Sequence, residues 1–89
     1  MNIPKQLKIG SQIIIVTQKP LDSIDSECNG GWARWEQNEL ILASNLPQDR
    51  KEQVFIHEIL HFINIYLEEE TVTYLSECIY QVFRDNKIF

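Results

Sequence analysis

Glu39-Leu40-Ile41-Leu42-Ala43-Ser44-Asn45-Leu46-Pro47 divides the chain into a strand-forming part and a helix-forming part. The aliphatic run Glu39 to Ala43 suits a pleated, half-buried strand. Ser44 and Asn45 are residues that cap helices, and Pro47 fits a first helical turn, where a missing N–H costs little. Beyond it, Val54, Phe55, Ile56, Ile59, Leu60, Phe62, Ile63 and Tyr66 recur at helical spacing, which predicts a first helix from Pro47 to about Tyr66. A second helix is expected from about Glu69 to Arg84, with Val72, Leu75, Ser76, Ile79, Val82 and Phe83 as its apolar stripe. Before the boundary, Trp32 to Trp35 reads as another strand, joined to Glu39–Ala43 through Glu36-Gln37-Asn38. Cys28-Asn29-Gly30-Gly31 favours positive φ, hence a tight turn or bulge. From Leu7 to Val16, two β-branched pieces flank Gly10-Ser11, a hairpin signal. Strands first and helices last predict an α+β domain: a small antiparallel sheet of three to four strands followed by two packed helices.

With 89 residues the chain is expected to form one domain, residues 1–89, with one modest core, folding alone or as a small oligomer. Apolar content of 44% and charged content of 24% argue against disorder or a fibre. No apolar run approaches the roughly 18 residues of a membrane span. The start Met1-Asn2-Ile3-Pro4-Lys5-Gln6 lacks the basic and apolar regions of a secretory signal, so a cytoplasmic location without membrane contact is expected. Cys28 and Cys78 are then expected as free thiols. A net charge of −5 with scattered basic residues disfavours nucleic acid as a partner. Glu68-Glu69-Glu70 would by default be a solvated acidic helix start.

The first predicted helix carries His57-Glu58-Ile59-Leu60-His61. Residues four apart share a helical face, so the two imidazoles can converge on one metal ion. These are the only histidines of the chain, and random placement gives this pattern with its Glu roughly once in several hundred shuffles. Neutral imidazole with carboxylate suits Zn2+, and Glu58, set in an apolar segment, is placed to act as general base on a water. A catalytic zinc usually has three protein ligands. No third histidine exists, so a carboxylate of the second helix is needed, and Glu68, Glu69, Glu70 and Glu77 compete. Glu69 stands three and seven residues before Val72 and Ser76 and should face inward. Glu70 and Glu77 share a more polar face with Tyr74 and Gln81, and Glu68 sits at the expected cap.

Val54-Phe55-Ile56-His57-Glu58-Ile59-Leu60-His61, Glu69-Glu70-Thr71-Val72-Thr73-Tyr74-Leu75-Ser76 and Tyr80-Gln81-Val82-Phe83-Arg84-Asp85-Asn86 resemble the small phage and prophage zincin proteins of Gram-positive bacteria. These look like minimal relatives of the ImmA/IrrE-type metallopeptidases. The likeness extends over most of residues 7 to 86, with a shorter interval between His61 and Glu69 than in larger relatives. It implies a minimal zincin-like fold, His57, His61 and Glu69 as zinc ligands, Glu58 as base, and a peptide or protein substrate. It also implies that the substrate lies extended along an edge strand, for which Glu39–Ala43 is the candidate. Trp32 and Trp35 are expected in the core; in the alternative function, an inactive binding or regulatory module, they would form an exposed anchor.

Overall fold

Six principal elements follow in the order read from the sequence, in a computed structural model that describes residues 1–20 and 30–88. Gly10, at φ +60°, turns β1 (Gln6–Ile9) back into β2 (Gln12–Lys19), as the Gly10-Ser11 signal predicts. Gly30, at φ +98°, leads into β3 (Gly31–Arg34). A single 3-10 turn, Trp35–Gln37, ends in left-handed Asn38 and connects to β4 (Glu39–Ala43). Two helices follow, α1 (Gln48–Ile63) and α2 (Glu69–Asp85). No helix among the described residues is long and apolar enough to cross a membrane. Cys78 carries a free thiol, whereas Cys28 lies outside the described residues.

The sheet differs from the expected all-antiparallel one in a single pairing. Its order is β1-β2-β4-β3, with β1·β2 and β3·β4 antiparallel and β2·β4 parallel. The reason lies in β4. Leu40, Ile41, Leu42 and Ala43 are all buried, so both faces of this strand are covered. A strand apolar on both faces belongs inside a sheet. Joining two antiparallel hairpins through β2 and β4 encloses β4, and in this pairing the two strands run the same way. Glu39–Ala43, the candidate for a substrate-binding edge, is therefore an interior strand, and the edges of the sheet are β1 and β3.

Ile14, Val16, Leu40 and Leu42 project from one face of the sheet against Val54 and Phe55 of α1, forming the main core. Each such side chain, fully buried, contributes about 1.5–3 kcal/mol of transfer free energy. α1 lies across β3 and β4, and α2 packs chiefly on α1 instead of on the sheet. Val72, Ser76 and Tyr80 are the buried residues of α2. Of the expected stripe, Val82 and Phe83 are exposed, and Tyr80 takes the inward position because its hydroxyl donates to buried Glu52 at 2.8 Å. Glu52 also accepts from the Met1 amino group and the Gln48 amide, both at 3.0 Å. Burial works to raise the Glu52 pKa, but these three hydrogen bonds together hold it below the ordinary value.

α1 ends three residues before the expected Tyr66, which is 89% exposed. Asn64 adopts an extended conformation, and its side chain accepts from the Tyr66 N–H at 3.0 Å. Its carbonyl accepts from Leu67 N–H at 3.2 Å. Asn is well suited to such local turns, which compete with the helical ladder. At the other end Pro47 is the cap residue, and no Ser or Asn side chain caps α1. The early stop matters for the site, since it lets a short connection bring α2 back over the last turns of α1.

Candidate metal centre

His57 and His61 lie one turn apart on α1, partly buried, with ring centroids 4.9 Å apart and planes at 63°. Their Nε2 atoms approach to 3.2 Å and are turned toward the same carboxylate. Glu69, in the first turn of α2, places Oε1 2.7 Å from His57 Nε2 and Oε2 2.8 Å from His61 Nε2. Of the four glutamates left open by the sequence, the structure thus brings Glu69 to the histidines. His57, His61 and Glu69 form a group whose ligand atoms all lie within 4.8 Å of one another. Glu68, Glu70 and Glu77 are exposed and outside that group.

The donor types and the spacing of the two histidines fit zinc, whereas the 2.7 and 2.8 Å contacts of Glu69 are hydrogen-bond distances, so its carboxylate must withdraw by about half an ångström to admit the ion. Two imidazole nitrogens bound tetrahedrally at ~2.0–2.1 Å would stand ~3.3 Å apart, close to the observed Nε2–Nε2 distance. Burial lowers the His57 pKa, partly opposed by the Glu69 carboxylate. The ring is accordingly neutral at pH 7, the form that ligates metals. Trp35 secures the other histidine from outside the helix: its indole N–H donates to the His61 carbonyl at 3.1 Å.

Glu58 is only 6% exposed. Its pKa is raised to about 8, first by burial and then by the nearby Glu69 charge, with the Ala33 backbone acting in the lowering direction. A buried carboxyl facing a second carboxylate is costly unless a cation or a proton compensates it. The close approach of β3 to α1 creates this setting. A Cβ on Gly31 would stand 2.5 Å from Val54 Cγ1 and 3.0 Å from both Cγ and Oε2 of Glu58. Gly31 is therefore where the chain needs no side chain, a use of glycine that an isolated strand glycine signals.

A cleft of about 160 Å³ opens between the helices here, lined by Arg50, Gln53, Val54, His57, Glu58, Glu69, Thr73 and Ser76. Sequence reasoning reached His57, Glu58 and Glu69 but not Arg50, Gln53, Thr73 or the contact at Gly31. Arg50 could have been found seven residues before His57, on the same helical face. Trp32 and Trp35, expected in the core, are 41% and 45% exposed. The Trp35 indole N–H is taken up by the His61 carbonyl, and the Arg34 guanidinium sits 4.9 Å over the face of the Trp32 ring.

Comparison with protein-family models, curated proteins and solved structures found no match to this chain.

Proposed function

We propose that the chain is a minimal zincin-type metallopeptidase domain, with His57, His61 and Glu69 as zinc ligands and Glu58 as general base. The observation that carries this reading is the contact of the two Nε2 atoms with each other at 3.2 Å and with one Glu69 oxygen each at 2.7 and 2.8 Å, beside the buried Glu58 carboxyl of the histidines' own helix. When bound, zinc supplies Lewis acidity, polarising a peptide carbonyl and making water acidic near neutral pH. Glu58 receives the proton of the attacking water and passes it to the leaving amine. The Ala33 backbone and the close-packed Gly31 hold that carboxyl in place. A substrate peptide extends β3, not β4, because β3 ends the sheet and lies against α1.

The resemblance of the clamp and helix motifs supports a phage or prophage origin and a regulatory protein of a mobile element as substrate. The exposed Trp32 and Trp35 favour a second reading, an inactive zincin-like module that acts through protein contacts. Cleavage of an unfolded protein substrate by zinc-loaded protein, lost with chelator and in Glu58→Gln, supports the peptidase. Stoichiometric zinc without any cleavage supports the binding module.

A further inference from the structure

Arg50 stands on the helical face of His57, seven residues and ~10 Å of helix toward the N-terminus. Of the described residues lining the cleft, it is the one permanent cation. No carboxylate among the described residues forms an ion pair with its guanidinium. Asp49, its neighbour, accepts from the Arg50 backbone N–H at 2.9 Å. Gln53 and Thr73 supply uncharged hydrogen-bonding groups beside it, while the Ser76 hydroxyl is committed to the Thr73 carbonyl at 3.0 Å.

We propose that Arg50 is a specificity-determining residue that binds a carboxylate of the substrate peptide. The inference rests on the zinc-peptidase reading and deepens it by naming what the cleft selects. The charge balance points to an anion. A dication set against Glu58 and Glu69 leaves the floor of the cleft near neutral, and Arg50 then makes the cleft positive within a chain of net charge −5. A guanidinium binds a carboxylate with two parallel N–H donors, which fixes orientation as well as charge. A peptide that leaves the β3 edge at Glu58 and runs along α1 through this cleft advances ~3.3–3.6 Å per residue, so the helical offset corresponds to about three residues from the bond beside Glu58. The carboxylate is either the peptide's C-terminal group or the side chain of an Asp or Glu near that position.

The test uses zinc-loaded Glu58→Gln protein, which prevents turnover and makes the cleft more positive by the same amount in every comparison, so that only the loss of preference on changing Arg50 is read, and four alanine-based hexapeptides. One has a free C-terminus and one a C-terminal amide. The other two are amidated, with Glu or Gln at the fourth residue. Binding is followed by 15N NMR titration, including the Arg50 Nε–H signal, with zinc content measured on the same samples. At least one carboxylate peptide should bind about tenfold more tightly than its neutral twin. Adding Arg50→Gln should abolish that preference while zinc content stays unchanged, and Arg50→Lys should retain part of it. A preference for the free acid alone identifies the chain end; a preference for Glu alone identifies a side chain. Equal binding of all four peptides, or a preference that survives Arg50→Gln, overturns the proposal and leaves the zinc site standing. Absence of zinc in both proteins instead defeats the metal reading, and this inference with it.

Discussion

Gly31→Ala tests the contact between the edge strand and the candidate base. The added Cβ would stand 2.5 Å from Val54 Cγ1, well inside van der Waals contact, and 3.0 Å from Glu58 Cγ and Oε2. Val54 is buried in the main core, so its methyl group has little room to retreat. The substitution is an overpacking change, costing about 1–3 kcal/mol. Gly31 has no positive φ, so alanine also stabilises through the unfolded chain by about 0.4–1 kcal/mol. The net expectation is a loss of about 1–2 kcal/mol, or roughly 4–16 °C in Tm for a domain of this size. Zinc affinity should barely change, since no ligand atom lies among the nearest contacts. Hydrolysis should fall by more than stability explains, because Glu58 must move. Thermal circular dichroism, a competitive zinc titration and a cleavage assay on one sample separate these effects. A variant as stable and as active as the parent would refute the close approach of β3 to Glu58.

Glu69→Ala should weaken zinc binding strongly in a chelator competition, with Glu70→Ala and Glu77→Ala near the parent value, since Glu69 contacts both histidines. Glu58→Gln should retain zinc while hydrolysis drops by roughly 10²- to 10⁴-fold. In metal-free protein the raised Glu58 pKa gives stability that is complete below the unfolded value of 4.5 and is lost as pH rises through about 8. Denaturant melts from pH 5 to 9 should show this decline, and Glu58→Gln should flatten it. Tyr80→Phe should cost about 1–3 kcal/mol by removing a donor from the buried Glu52 carboxylate, as read by urea unfolding. Glu52, whose pKa is lowered, contributes stability present above the unfolded carboxyl value and lost as pH falls through the folded one.

The parts of this molecule that were legible in the sequence are those set by local periodicity. The Gly10 hairpin, the passage from strands to helices around Pro47 and the convergence of His57 with His61 each depend on residues within a few positions. Glu69 was reachable too, because inward-facing positions of α2 repeat with Val72 and Ser76. What escaped the sequence was the pairing between distant segments. The parallel β2·β4 register depends on which hairpin strand meets which, so the sequence left β4 open as a candidate edge or an interior strand, although its unbroken apolar run signals the interior. Tyr80 displaced Val82 and Phe83 from the interior because its partner, Glu52, is a glutamate that sequence alone assigns to the surface. Ile63 and Tyr66 extend the helical pattern past the point where Asn64 turns the backbone. The two tryptophans have the size of core residues but lie on one side against polar partners, which no spacing rule reveals.

Zinc stoichiometry is the most direct test of the metal centre. Protein purified without added metal should be dialysed against buffered zinc and its metal content measured per chain, alongside His57→Ala/His61→Ala. The expected result is one zinc per parent chain, and none in the double variant while it remains folded by circular dichroism. A parent chain that binds no zinc under these conditions, or a double variant that binds as much as the parent, would contradict the assignment of His57, His61 and Glu69 as a metal site.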